Sequence, residues 1–190
     1  PGQDNAVLMR VDTGQSTDRL LFDCGHACLE TVPYGELLNL DHLFFSHLHM
    51  DHVGGFDAFF CSLFNRVSKP NQIWGPPGTS QTLHHRFRGF LWNLHDEMNA
   101  SWHVHDIHPA TIATFRFELQ EAFAAAHEEG TAVYHQTILD TPTYCVQAIT
   151  MDHRTPVIAY LVKEKTHYNI DPQRLAQSGL PAGPWLQQLK

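Results

Sequence analysis

Positive charge, paired cysteines and long apolar runs are all scarce in this 190-residue chain. Lys and Arg number 12 against 20 Asp and Glu, a formal net charge of −8, so the body as a whole does not attract a polyanion by charge. The four cysteines (Cys24, Cys28, Cys61 and Cys145) contain no C-x-x-C pair. That argues against a disulfide framework and for reduced, partly buried thiols, in a cytoplasmic setting. No apolar run approaches the roughly 20 residues that a membrane-spanning helix needs, and no membrane partner is expected. Internal repeats and low-complexity tracts are lacking too, which sets a repeat array aside. What is present is 43% hydrophobic residues, enough at this length to bury a substantial core as one domain.

Histidine is the residue in excess, with 15 copies. At that frequency some clustering is expected, and a lone His is more often a satisfied or surface residue. The run His47-Leu48-His49-Met50-Asp51-His52 is different, because three imidazoles and a carboxylate directly follow the apolar segment Leu43-Phe44-Phe45. Neutral imidazole and carboxylate oxygen suit zinc and similar divalent metals. A strand followed by a tight turn points alternate residues one way, so His47 and His49 can share one metal. Asp51 and His52, past the bend, can face a second. Gly54-Gly55 then allows close backbone approach, and Val53, Phe56, Phe60 and Phe64 recur at helical spacing. Strand, metal turn and helix form the context such a motif requires.

The remaining pattern reads as α/β. Ala6 to Asp12 and Arg19 to Asp23 read as strands joined by the turn Thr13-Gly14-Gln15-Ser16, followed by a short helix at Tyr34 to Leu38 and a buried strand at Leu40 to Ser46. Val53 to Arg66 reads as a helix and Gln72 to Trp74 as a strand, stopped by Gly75-Pro76-Pro77-Gly78. Ser80 is the expected N-cap of a long helix whose face is marked by Leu83, Phe87, Phe90, Leu91, Leu94 and Met98. Strands follow at Trp102 to Ile107, Thr111 to Leu119, Thr143 to Met151 and Val157 to Lys163, with Glu128-Glu129-Gly130 read as an exposed hairpin or loop. His103, His105 and His108 have a spacing compatible with a local metal site, but a partly exposed strand is the plainer reading. His84-His85-Arg86-x-Arg88 reads as a solvated helix face. Cys24-x-x-x-Cys28 is either a further metal site or, more plainly, strand-end packing. His153 taken alone is a strand-end histidine.

The motif His47-x-His49-x-Asp51-His52 resembles the signature of the metallo-β-lactamase superfamily. Leu21-Phe22-Asp23-Cys24-Gly25, Phe45-Ser46-His47-Leu48-His49 and Ile73-Trp74-Gly75-Pro76-Pro77-Gly78 resemble segments of its ribonuclease Z branch. So does the order Met151-Asp152-His153, a strand from Val157 to Glu164, Asn169-Ile170-Asp171, Gly179-Leu180-Pro181-Ala182-Gly183-Pro184 and Leu186 to Lys190. The likeness is weakest between about Gln81 and Tyr144. It implies an αββα sandwich over residues 1–162, and a substrate-binding arm over 163–190 in which Gly183 and Pro184 form the Gly-Pro motif. By the same resemblance His47, His49 and His153 hold one divalent ion, zinc with manganese as the alternative, and Asp51 and His52 hold a second. Paired ions of this kind lower the pKa of a water between them. Asp51 would also accept the proton of the attacking water. The family's reaction is cleavage of precursor tRNA at its 3′ side, and its members commonly form homodimers with the arm of one subunit at the site of the other.

Other features qualify that reading. The chain starts at Pro1 and stops at Lys190, so the family's opening strand and a second half with a bridging Asp, another His ligand and an acid-catalytic His are expected to lie outside it. From Lys163 to Lys190 four cations against two carboxylates leave +2, a modestly basic arm on an acidic body. His26 stands where the family commonly has Glu, and residues 1–5 lack the family's basic side chains. Three functions follow: a ribonuclease Z-like phosphodiesterase acting on tRNA precursors, another hydrolase of small esters, lactones or phosphodiesters, or a non-catalytic metal-binding fragment.

Overall fold

The computed structural model describes residues 5–13, 16–166 and 170–189, with side chains to residue 186. Gly14 and Gln15 of the first turn, Asn169, Lys190 and residues 1–4 lie outside the described residues. In chain order the elements are β1 (Val7–Asp12), β2 (Thr17–Phe22), α1 (Tyr34–Leu38), β3 (His42–Phe44), α2 (Met50–Val53), α3 (Phe56–Leu63), β4 (Asn71–Gly75), α4 (Thr79–Phe87), β5 (Ser101–Ile107), β6 (Thr111–Glu118), β7 (His127–Val133), β8 (Thr137–Asp140), β9 (Tyr144–Asp152), β10 (Pro156–Glu164) and α5 (Pro172–Gln177). No helix among the described residues is long and apolar enough to cross a membrane.

Seven strands form one sheet in the order β1-β2-β3-β4-β5-β6-β7, and β10-β9-β8 form a second. Strands β2 to β5 run parallel, and their connections carry the helices α1 to α4, as parallel pairing requires. The flanking pairs are antiparallel. Because strand side chains alternate, each face of the large sheet has its own core. On one face, Leu21, Leu43, Ile73, Trp102 and Val104 pack under the helices, with Phe56, Phe59, Phe60 and Leu63 of α3 at helical spacing. On the other, Leu20, Phe44, Trp74 and Ile107 meet Tyr144, Val146, Ala148 and Ile158 of the second sheet. The outer face of the second sheet leaves Ile149, Met151 and Leu161 more than half exposed. The fold is therefore α/β, of the metallo-β-lactamase type.

Arg66 ties the helical layer to the strand ends. Its buried guanidinium donates to Leu40 O at 2.7 Å, Pro70 O at 2.9 Å, Leu38 O at 3.1 Å and Asn71 Oδ1 at 2.8 Å. Four acceptors offset the cost of burying that charge.

Several elements differ from the sequence reading. Ser80 is not the N-cap of α4: the helix begins at Thr79 after Gly78, which takes φ of 91°. The cap comes from the opposite strand, where the Asp106 carboxylate accepts from Ser80 N at 2.8 Å, Gly78 N at 3.2 Å and Ser80 Oγ at 2.7 Å. The long helix also stops early, at Phe87, where the Trp92 indole donates to Phe87 O at 2.7 Å and closes the last turn. Leu91 and Leu94 are consequently exposed. Of the helix expected from Val53 to Arg66, Val53 instead closes α2, Gly54 and Gly55 form a turn, and α3 runs only from Phe56 to Leu63. Of the exposed hairpin or loop expected at Glu128-Glu129-Gly130, the structure has the extended form: the three residues lie in the exposed edge strand β7, antiparallel to β6.

Candidate functional site

The parallel strands place the histidine turn at the carboxyl end of β3, where α/β folds gather loops. β3 ends at Phe44, His47 follows two residues after Phe45, and His49 precedes α2, whose first turn carries Asp51 and His52. The turn is held from behind. Phe45 N donates to Trp74 O at 2.7 Å, and Cys24 N donates to His52 O at 2.7 Å. Gly55 N donates to Cys24 O at 2.8 Å, and a Cβ on Gly55 would lie 2.1 Å from Gly25 O, so only glycine permits this approach.

His47, His49, Asp51, His52 and His153 are brought together, although His153 sits 104–106 positions away from the first two in sequence. Ring centres of His47 lie 4.5 Å from His49, 3.9 Å from His52 and 6.1 Å from His153, and His49 lies 6.2 Å from His153. His47 is buried while Asp51 is 57% exposed at its side chain, so one flank of the cluster is dry and the other faces water. Burial, and after it the neighbouring His52 and His49 rings, push the His47 pKa down. The neutral form, with a lone pair to offer, is favoured.

Asp23 organises the cluster. Its φ of 58° is a left-handed conformation that costs a non-glycine residue energy. There its carboxylate accepts from Ser46 N at 2.7 Å, Ser46 Oγ at 2.8 Å and His52 Nδ1 at 2.8 Å. Since the Ser46 hydroxyl donates to Asp23, it accepts from His47 Nδ1 at 3.0 Å. Both imidazoles are thereby protonated on Nδ1, and their Nε2 lone pairs face the cluster, an arrangement by which carboxylates commonly orient metal-ligating histidines. His47 Nε2 then accepts from His49 Nδ1 at 3.0 Å. Asn5 Nδ2 lies 3.1 Å from both His52 Nε2 and Asp51 Oδ2.

These contacts test whether a divalent cation fits. The Asn5 amide points its N–H groups at two acceptors that converge, and His47 Nε2 has a proton donor facing it, so electron-pair donors of the type zinc takes look into one space. As they stand, no group of three or more His, Cys, Asp or Glu among the described residues is arranged to hold a metal ion. The donor chemistry fits. His49 and His153, with Asp152, Arg154 and Thr155, line an open cleft of about 650 Å³ beside the turn, and Arg154 also lines a neighbouring groove of about 430 Å³ with Pro109, Thr150, Met151 and Pro156. Arg154 is held at φ of 61°, and its N–H donates to Asp152 Oδ1 at 2.8 Å.

Two of the sequence-picked residues are not part of this cluster's bonding. Gly183 and Pro184 lie in a turn where Leu186 N donates to Gly183 O at 3.0 Å and the Trp185 indole donates to Pro181 O at 3.0 Å. Among the described residues these bonds are all local. Conversely, the sequence does not single out Asn5 or Arg154, and Asp23 and Ser46 stand out only as members of resembling segments. Asp23 and His52 are 29 positions apart and Asn5 and Asp51 are 46 apart, so no local spacing signals either pair.

Comparison with known proteins sharpens the picture. The family described as Anti-Pycsar protein Apyc1 matches residues 3–164. A ribonuclease Z of Deinococcus radiodurans is 43% identical over 190 residues, covering 100% of this chain and 57% of that protein. Zinc phosphodiesterase ELAC protein 1 of Homo sapiens is 28% identical over 196 residues, covering 90% of this chain and 52% of that protein. Among solved structures, human tRNase Z, short form (ELAC1), superposes with a TM-score of 0.53 at 19% identity, over 85% of this chain and 58% of that one. The chain spans little more than half the length of these relatives.

Proposed function

We propose, from the premise that the chain belongs to the Anti-Pycsar protein Apyc1 family and to the ribonuclease Z-like branch of the metallo-β-lactamase superfamily, that it hydrolyses phosphodiesters at the histidine turn, with the 3′ side of precursor tRNA as substrate. The observation that carries this reading is the Asp23 carboxylate, which sets the tautomers of His47 and His52 so that their Nε2 atoms face the same space as Asp51.

In this reading His47, His49 and His153 hold one divalent cation and Asp51 and His52 a second, zinc being favoured by imidazole donors. Held there, such ions would supply charge neutralisation for a phosphodiester and a more acidic water. The chain's own groups do the rest. Asp51, exposed at the rim, accepts the proton of the attacking water. Ser46 and Asp23 keep His47 and His52 from rotating or changing tautomer. Arg154, which lines both the cleft and the adjoining groove, offers its guanidinium to a non-bridging phosphate oxygen and sets the substrate's register. The Gly183-Pro184 turn is assigned to substrate contact, and pairing of two chains to bring one arm to the other's site belongs to the same proposal.

One observation favours a second reading. The family match ends at residue 164, where β10 ends, and leaves the arm out. A site on the sandwich alone suits a small phosphodiester. Purified protein supplied with zinc or manganese should cleave a 3′-extended tRNA and, more slowly, bis-p-nitrophenyl phosphate. Cleavage of the small ester alone would select the second reading, and inertness toward both would refute the two together.

A further inference from the structure

Behind the histidine turn, two sulfur atoms meet that the proposed hydrolysis does not use. Cys24, just past β2, is fully buried, and Cys28, four residues on in the following turn, is half-buried. Their Sγ atoms are 3.4 Å apart. A disulfide has S–S of about 2.05 Å, so the pair is roughly 1.4 Å of side-chain motion from bonding. The turn already holds the two residues close, since Cys28 N donates to Gly25 O at 3.2 Å. Cys61, by contrast, is exposed on the outer side of α3, and Cys145 lies in β9 of the other sheet.

We propose that Cys24 and Cys28 form a modification site, at which a two-electron oxidant of the peroxide class joins them in a reversible disulfide packed against the back of the histidine turn. Cys24 is fully buried and Cys28 is not, so the more exposed Cys28 meets the oxidant first. The Cys28 sulfur attacks one peroxide oxygen, the O–O bond breaks, and the other oxygen leaves with a proton as water, giving the sulfenic acid. The Cys24 sulfur then displaces the hydroxyl: the S–S bond forms, the S–O bond breaks, and the Cys24 proton departs with the hydroxyl as a second water. Two thiols are oxidised by two electrons in all, and one peroxide is reduced to two waters. A thiol reductant reverses the reaction by exchange. The bond is felt at the site because the Cys24 backbone is hydrogen-bonded to His52 O and Gly55 N.

The test uses the full chain, reduced, exposed to hydrogen peroxide, alkylated, and cut after Arg19 and Glu30. The resulting peptide, Leu20 to Glu30, contains Cys24 and Cys28 and no other cysteine. It should be unalkylated and lighter by two hydrogen atoms, dithiothreitol should restore two alkylatable thiols, and the Cys28→Ser variant should give no cross-link. Amide exchange at Gly55 should change together with the cross-link. A peptide that stays doubly alkylated, a Cys28 that stops at the sulfinic acid, a bond to Cys61 or Cys145 instead, or unaltered exchange at Gly55 would each overturn the proposal.

Discussion

Two groups of histidines in this molecule share a residue type and little else. His42 and His105 stand on β3 and β5, on the face of the large sheet that carries Phe44 and Trp74, and each bonds to a neighbour in the sheet. His42 Nδ1 accepts from the Trp74 indole at 3.1 Å. The His105 ring lies between Gln72 Oε1 at 2.7 Å and Thr114 Oγ1 at 2.9 Å, and stacks on Trp74 at 3.8 Å between ring centres. His103, next along β5, pairs with Glu129 at 3.1 Å. The turn histidines instead face one another, with Asp23 holding His52 Nδ1 directly and His47 Nδ1 through Ser46, while His49 lines the open cleft. A histidine whose ring bonds its neighbours within the sheet is structural. One whose second nitrogen is pointed at other electron-pair donors is prepared for a ligand.

That contrast can be broken experimentally. The largest effect is expected at Asp51, whose replacement by Ala should lower phosphodiester hydrolysis by roughly 10²–10⁴-fold. The exposed position makes the change harmless to thermal unfolding, and full retained activity would remove Asp51 from the chemistry. Next comes Asp23→Asn, which keeps the shape but cannot accept from Ser46 and His52 together. Metal affinity should fall by about 10–100-fold, measured by competition with a chromophoric chelator. An unchanged affinity would show that the tautomers are set by something else.

Acid should act on the sheet histidines and report stability. Burial pushes His42 down to about 4 and His105 to about 3, against roughly 6.5 in the unfolded chain. Over that window the unfolded chain binds protons that the folded one refuses, so the contribution is complete above about pH 6.5 and declines as pH falls through the folded values. At 1.36 kcal/mol per unit the His42 shift is worth roughly 3 kcal/mol and the His105 shift roughly 5 kcal/mol. Urea unfolding should therefore show lower stability at pH 4.5 than at pH 7, with a shallower slope in His105→Gln; equal slopes would contradict the assignment. The smallest effect is expected at Arg154→Ala, where loss of one charge-assisted contact should raise KM by about tenfold with kcat little changed. A fall in kcat alone would place Arg154 elsewhere in the mechanism.

How much of this could be read from the chain depended on range. The helix at Tyr34–Leu38 matched residue for residue, and the turn from His47 to His52 announced itself because its donors are neighbours in sequence. The helix after Ser80 was drawn too long because the spacing of Leu83 to Met98 continues past Phe87, while its stop depends on the Trp92 indole reaching back. Strand β7 could be read only as an exposed hairpin or loop, because all its residues after His127 are exposed and show no apolar alternation. β8 is only four residues long and shifts register against β9. Asp23 and Asn5 were beyond local reasoning, since their roles arise only when β2 and the segment before β1 are laid against the turn.

The central claim is that the turn histidines, and not the sheet histidines, are the ligand-binding ones. It is tested most directly by counting zinc per chain after equilibrium dialysis of the wild type, His49→Ala and His105→Gln. The exposed His49 can be removed without unfolding the protein, and His105→Gln preserves a polar side chain between Gln72 and Thr114. The account predicts that His49→Ala loses zinc while His105→Gln retains the wild-type content. Zinc retained in His49→Ala, or lost equally in His105→Gln, would contradict it.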